Sequence, residues 1–532
     1  MSLRTQCRKI FLFFQQQKKG TVREAAAASG TSKSSAHRHK QTLERRNQCP
    51  ESWLWETEEG FRWLLILVCA TIYMFGIRGG IGMGAIAEFF VLLRLDKHIG
   101  VSPSSLFRVT SKIEGLILAY KETYEQKKEG LAHAIVGADE TFFEQVILVM
   151  MELSSGYIFL EEPAADRTFL TWKEKASHAL QHLGIRVRYM VSDQAKALTK
   201  LALEGLGCRR IPDLFHASHE LVKLLGFRFA TKLSRVRRQL ANAMVTAALL
   251  KETGKSPETL RRHEQIIVAA QLEEQHLVDG QTRYYEILHA FSALVHPFSL
   301  EPPRPQTSGE VMVSLYDVLD AAQTLLDDYE LSDSQQRIKK LRAHIEDIAA
   351  SVDLWWIWVR ERLASYAVDP ELECWLLYGL LPVIYWQTQL QRTSTTAVRQ
   401  MYEAAYKQAQ DRLQGHWLTA EMTPEELCQW QSWAQWIVTK FQRTSSAVEG
   451  RNGVLSRMNH TQRSIPLQRL KVLTIIHNFG ITRTDGTTAA ERLFGEKFPD
   501  LFEWIVERID DLPLPRDRVT IPSSQACPAL GG

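Results

Sequence analysis

"HAIVGADETFF", residues 133–143, and the segments that follow it decide the fold. Upstream, apolar residues recur at helical spacing; here they run together for a few positions and end at Asp139. "QVILVMMELSSGYIFLEE" (145–162) then reads as two strands turning at Ser154 to Gly156. A polar helical segment from about Arg167 to Leu183 leads into a strand, Val187 to Val191, which runs into Asp193. "RRIPDLFH" (209–216) offers a fifth strand before "ASHELVKLL" resumes helix. Three adjacent strands, a helix, a strand, a helix and a strand predict an α/β layer built on a mixed sheet.

If the first and fourth strands are neighbours, Asp139 and Asp193 converge at one sheet edge. Two carboxylates held close repel each other unless a cation lies between them, and magnesium takes such hard oxygen ligands while keeping positions open for water and phosphate. Each acid also has a plainer reading: Asp193 before "QAKAL" can cap a helix, and Asp139 with Glu140 can form a turn. A third acid comes from "FQRTSSAVEGRNGVLSRMNH" (441–460), where Glu449 is the lone carboxylate among Arg443, Arg451 and Arg457. Residues 440–471 hold seven Lys and Arg against that single acid, which makes Arg443, Arg451 and Arg457 candidate phosphate contacts. Glu491 is the rival third acid, but "AAERLFG" reads as an apolar-faced helix.

The chain of 532 residues, 45% hydrophobic, can bury several cores. Its seven cysteines lie far apart without a C-x-x-C pair, so a disulfide framework and a cysteine zinc site are both disfavoured, and a reducing cytoplasm is expected. The most apolar run, residues 61–77, falls short of the roughly 20 residues of a spanning helix and is expected to be buried, with no membrane partner. The net charge of +3 is unevenly spread. Residues 1–50 carry eleven Lys and Arg against two acids, a net +9 that leaves the remainder at −6. A basic, polyanion-facing head on an ordinary body is the expectation.

Within the head, "TVREAAAASGTSKSSAHRHKQTLERR" (21–46) divides at Gly30 into two helical segments, with Ser32 able to cap the second. That pattern predicts a helix-turn-helix presenting Lys33, Ser34, His37, Arg38 and Lys40 to a DNA major groove and its phosphates. Residues 51–130 read as a helical collar broken at "GGIGMG" (79–84), with Arg108 and Lys112 as further DNA contacts. From Gly226 to Lys440 the composition is almost continuously helical, interrupted by a Pro-rich linker at 296–310. Its basic run includes Arg235, Arg237 and Arg238, which can reach phosphate; its nine tryptophans are expected mainly in the core. His216 and His219 in "FHASH" make a poor metal signal and stay outside the proposed site.

"IVGADETFF", "YMVSDQAKAL" and "RTSSAVEGRNGVLSRMNH", in that order, resemble the three acid-bearing motifs of the DDE transposases of bacterial insertion sequences. "RTDGTTAAERLFG" (483–495) is similar to the tail of such enzymes. The resemblance covers roughly residues 130–220 and 440–495. It implies an RNase H-like mixed-sheet core with a large all-α insertion between the second and third acids, 256 residues apart (449 − 193). The expected segments are a DNA-binding head (1–50), the collar (51–130), the first part of the core (131–225), the insertion (226–440), the last part of the core (441–495) and a tail (496–532). The resemblance further implies Asp139, Asp193 and Glu449 as ligands of two Mg2+ ions, with Mn2+ as a substitute. It implies cleavage and strand transfer on double-stranded DNA at element ends and target, a homodimer or larger synaptic assembly, and a place in the bacterial cytoplasm at the nucleoid. A nuclease of the same fold and an inactive DNA-binding descendant are the alternatives.

Overall fold

A computed structural model describes residues 3–46, 54, 57–125, 132–331, 335–462 and 465–515. Five strands form one mixed sheet: β1 Ala132–Phe142, β2 Val146–Glu152, β3 Ile158–Ala164, β4 Ile185–Ser192 and β5 Arg209–Pro212. Their order is β3-β2-β1-β4-β5. β1 runs antiparallel to β2, and β2 to β3, because short turns join them; β4 lies parallel to β1, and β5 to β4, because helical crossovers do. The first and fourth strands are therefore neighbours, as the sequence predicts. The fifth is shorter than expected: it stops at Pro212, and Asp213 caps a helix instead.

The helices that matter for the site, in chain order, are α1 Leu3–Gln16, α2 Val22–Ser29, α3 Lys33–Arg46, α4 Glu58–Thr71, α5 Met83–Leu92, α6 Pro103–Tyr124, α7 Phe169–Leu183, α8 Leu214–Leu221, α9 Phe227–Glu252, α10 Pro257–Leu294, α11 Ser308–Asp328, α12 Ile345–Tyr366, α13 Leu381–Arg392, α14 Thr396–Gln414, α15 Pro424–Thr439, α16 Ser446–Gln462, α17 Leu467–Ile475 and α18 Leu501–Val506.

Strand alternation sends successive side chains to opposite faces, and both faces are covered. Ala134, Val136, Ala138 and Met190 pack with Trp172, Ala176 and Leu180 of α7. Ile135, Tyr189, Val191 and Ile211 face the other way and join the large core formed by α9–α15. Gly137 lies on this second face, and a Cβ there would meet Leu153 Cδ2 at 2.6 Å and Val448 Cγ2 at 2.8 Å. Glycine at that position lets α16 lie directly on β1.

The insertion is helical throughout its described elements, and its tryptophans are largely core: Trp355, Trp375 and Trp386 are fully buried, whereas Trp417 is exposed. The Pro-rich segment 296–310 is more than a linker, since His296 and Phe298 are fully buried within it. The collar α4–α6 shares a core with α17, α18 and residues up to Leu512. That packing revises the length reasoning for residues 61–77. The helical run Glu58–Arg78 is long and apolar enough to cross a membrane by length and composition, yet its buried face belongs to this shared core.

The head has a small core of its own, made by Cys7, Ile10, Ala26, Ala36 and Leu43. Thr21 and Glu24 form a reciprocal cap that starts α2; Gly30, at φ 67°, ends it in the left-handed conformation glycine favours. Ser32 Oγ then accepts from Ser35 N at 3.2 Å to start α3. The head is a helix-turn-helix. Residues 47–53 of the head-to-collar connection, the end of the tail at 516–532, Arg463, Cys49 and Cys527 lie outside the described residues.

Candidate functional site

Register alone aligns three carboxylates. Gly137 pairs with Val191 and Ser192 with Pro212, so two positions beyond Gly137 and one beyond Ser192 and Pro212, Asp139, Asp193 and Asp213 stand level on three adjacent parallel strands. All three positions share the parity of Ile135, Val191 and Ile211, the face on which α16 lies. Asp139 and Asp193 were expected to meet there. Asp213 was hidden, because "RRIPDLFH" reads as continuous strand.

Asp139 is half-buried. Its Oδ1 accepts from Glu140 N at 2.9 Å and its Oδ2 from Asn452 Nδ2 at 2.8 Å. Burial pushes its carboxyl up to about 6, with the charges of Asp193 and Glu140 adding to the rise against the backbone hydrogen bond from Glu140. Asp193 Oδ1 accepts from Ala195 N at 2.9 Å, which turns the chain toward the short helix Lys196–Lys200. The helix that follows takes Ala195 as its N-cap with no side-chain cap bond, so the plainer reading of Asp193 as an N-cap does not hold, and its Oδ2 has no hydrogen bond among the described residues.

Asp213 is buried and fully used. Its Oδ1 accepts from Phe215 N at 2.7 Å and His216 N at 3.4 Å, capping α8. Its Oδ2 accepts from Ser445 N at 2.6 Å and from the Ser445 hydroxyl, immediately before α16. Asp213 therefore fastens the start of α16 to the end of β5. A second clamp lies further along: Arg451 donates Nε to Glu161 Oε1 at 2.7 Å and Nη2 to Glu161 Oε2 at 2.6 Å, both residues buried, with Thr474 donating to the same carboxylate. Asn452 on Asp139 is the third tie. Between these anchors Glu449 faces the sheet edge, its Oε1 3.3 Å from His216 Nε2. Burial raises its carboxyl, the charge of Asp213 adds to the rise and His216 opposes it.

The proposed ligands fit a divalent cation in their donor chemistry. Asp139, Asp193 and Glu449 offer hard carboxylate oxygens, and none pairs with Lys or Arg among the described residues. Asp139 and Glu449 are both held above their ordinary range, which a bound cation would reverse. Asn452 Oδ1 is buried beside Asp139 without a hydrogen-bond partner. Asp213, His216 and Glu449 can also each place a ligand atom within 4.8 Å of the others. Asp213 already accepts four hydrogen bonds, so in that trio it serves as the clamp and leaves little for a metal.

The candidate DNA contacts divide sharply. Lys33, Ser34, His37 and Arg38 are exposed on α3, away from its core side. Lys40 turns back: it lies 4.7 Å over the Phe14 ring and 3.7 Å from Glu44. Arg235, Arg237 and Arg238 are exposed on α9, Arg237 paired with Glu274 at 2.8 Å. Arg457 is exposed on α16. Arg451 is corrected by its burial against Glu161, which removes it from any DNA surface. Arg443 is committed in part: Nη1 donates to Ser292 O at 2.9 Å and Val295 O at 2.8 Å, so it braces α10 as well as bordering a cavity.

Comparison with protein-family models gives two matches. Residues 9–48 match the IclR helix-turn-helix domain, the segment containing α2, the Gly30 turn and α3. Residues 376–521, which include Glu449, match a family of unknown function (DUF6399). No curated protein matches the chain. The head is accordingly a DNA-binding helix-turn-helix region on a largely helical protein with one five-stranded mixed sheet.

Proposed function

We propose that this protein is a DDE-type transposase: the helix-turn-helix head binds the ends of a DNA element, and the sheet edge performs Mg2+-dependent cleavage and strand transfer. The alignment of Asp139 and Asp193 on neighbouring parallel strands, with Glu449 on the helix that crosses the same face and beside His216 and Asp213 at the end of β5, carries this reading. The strand order β3-β2-β1-β4-β5 with a helical insertion before α16 is the arrangement an RNase H-like core requires, and it supports the assignment.

Asp139, Asp193 and Glu449 are the residues that would hold the Mg2+ ions. When bound, such ions supply an activated water or 3′-hydroxyl nucleophile and charge neutralisation at the phosphodiester. Asn452 holds Asp139 in place through Oδ2, leaving the carboxylate oriented by two donors from different elements. Asp213 and Arg451 position Glu449 by fixing α16 on β5 and β3. No serine or tyrosine nucleophile is needed, because both steps are in-line displacements.

The deciding experiment incubates the full chain with DNA carrying the sequences that flank its gene, in Mg2+ or Mn2+. Joined products support the transposase, cleavage alone indicates a nuclease of the same fold, and binding with neither indicates a DNA-binding regulator. Asp139→Ala, Asp193→Ala and Glu449→Gln should each reduce the metal-dependent products to background while duplex binding by the head persists. Full activity in the Asp139→Ala and Asp193→Ala proteins would refute the site. Inverted repeats around the gene with a short duplication outside them are the genomic counterpart of a positive result.

A further inference from the structure

α8 separates two cavities, one lined by acids as well as cations and one without an acid. On the acid side, a space of about 390 Å3 is bordered by Asp193, Asp213, His216 and Glu220. Of its cations Lys223, Arg337 and Lys340, the first two are tied to Glu220, at 2.9 and 2.8 Å. On the other side, a space of about 440 Å3 opens between α8, the end of α10 and the junction of α13 with α14. No acidic residue lines it. Arg392 and Arg443 both reach it, with His219, His289, Gln389 and Thr395 as further polar groups.

Among the described residues neither arginine has a carboxylate counter-ion. Arg443 is held by backbone carbonyls, which orient the guanidinium without cancelling its charge. Arg392, exposed at the end of α13, has no carboxylate partner among the described residues and lies in the field of two further cations, Arg443 and Arg483. Phe215, half exposed and one residue before His216, forms an aromatic wall. Crowded cations facing an acid-free space beside an aromatic side chain are the recognition chemistry of a phosphodiester with an attached planar or sugar group. The volume is too small for a duplex and large enough for one nucleotide.

We infer that this cavity binds a single nucleotide unit of an unpaired DNA strand, its phosphate between Arg392 and Arg443 and its apolar part against Phe215. The inference rests on the transposase reading for its source of unpaired DNA: strand ends released at the acid row would need a place within reach of α8. The site gives such an end a seat that the duplex-binding head cannot provide.

The test uses the full chain in EDTA, so that cleavage plays no part, with a fluorescent five-nucleotide oligo-dT read by anisotropy. The wild-type protein should bind it; Arg392→Gln should weaken binding about tenfold and flatten its salt dependence by roughly 0.7 in the logarithmic slope, the single-strand value per phosphate contact. Arg392→Lys should restore part of the loss. Phe215→Ser, at an exposed position, should weaken oligo-dT without changing competition by inorganic phosphate, which distinguishes a nucleotide seat from a plain anion site. Unchanged oligo-dT binding in both Arg392→Gln and Phe215→Ser overturns the inference, as does inorganic phosphate competing as well as oligo-dT. Asp139→Ala should bind oligo-dT normally. Binding that depends on Arg392 in a protein with no metal-dependent cleavage would sustain the cavity and defeat the transposase reading.

Discussion

α3 and the stretch 440–471 that contains α16 both carry an excess of basic residues and use them in opposite ways. On α3, Lys33 and Arg38 stand on an exposed face while Ala36, His39 and Leu43 turn inward. On α16, Arg451 is spent inside the protein on Glu161, 290 residues away, and of Arg443, just before the helix, Arg451 and Arg457 only Arg457 is exposed. A cluster of positive charge in sequence is therefore two different things: a surface for phosphate where the helix is short of internal partners, or a set of anchors where a distant acid waits. The difference follows from position. α3 has a small three-helix core to satisfy, whereas α16 has to cross a sheet and be held there.

The largest expected effect breaks the anchor. Arg451→Met keeps much of the volume but leaves Glu161 charged and buried, and it should cost about 3–5 kcal/mol in unfolding experiments. Adding Glu161→Met, which removes the stranded charge as well, should return much of that loss. If Arg451→Met instead melts normally and only weakens DNA binding, the contrast between the two helices is wrong and Arg451 belongs with the α3 cations.

A milder perturbation moves the same helix without touching charge. Gly137→Ala places a methyl against Leu153 and Val448, and overpacking of this kind costs about 1–3 kcal/mol. Because the displaced element carries Glu449, metal-dependent activity should fall more steeply than the melting temperature. An equal decline in both would mean that the seat of α16 on β1 is structural only.

The sheet and the head were legible because their signals are local. A run such as "QVILVMMELSSGYIFLEE" announces two strands and a turn by itself, and Thr21, Glu24 and Gly30 mark the limits of α2 within ten residues. Asp139 and Asp193 were visible for the same reason: each stands where an apolar run ends. Asp213 was masked because "RRIPDLFH" reads as strand to residue 216, whereas the strand ends at Pro212 and Asp213 caps the helix that follows. Glu449 could be picked out as a lone acid, but its neighbours could not. Asn452 meets Asp139 across 313 residues, Ser445 meets Asp213 across 232, and no pattern within α16 encodes either contact. His216, set aside as half of a weak H-x-x-H, gains its relevance only from the 3.3 Å contact with Glu449.

The acid row allows a prediction with a defined pH sign. Asp139 titrates at about 6 in the fold, above its ordinary 3.8, so the native state favours the proton. Without metal, the unfolded chain gives up that proton at lower pH than the native state, and the protein loses stability as pH rises from about 4 to 6. Asp139→Asn removes the penalty and should stabilise the metal-free protein at pH 7 by about 1–2 kcal/mol, allowing for solvent screening at a half-buried site. Mg2+ needs the carboxylate, so its stabilising effect on the wild-type protein should grow as pH passes 6 and be weakened in the variant. A wild-type protein whose Mg2+ response is flat between pH 5 and 8 would separate Asp139 from the metal.

The smallest effects return to the exposed arginines and sharpen the contrast directly. Arg38→Ala leaves the head folded, because its side chain faces away from Ala36 and Leu43, and should lower the logarithmic salt slope of duplex binding by about 0.9 for one lost phosphate contact. Arg457→Ala should leave the melting temperature unchanged and leave binding by an isolated end-sequence duplex to the head unchanged as well. Its effect, if it contacts DNA, should emerge only with substrates long enough to reach the sheet edge, again as a change in salt slope of about one unit or less. A loss of short-duplex binding in Arg457→Ala would place α16 and α3 on one continuous surface, and the division between a binding head and an anchored catalytic helix would fail.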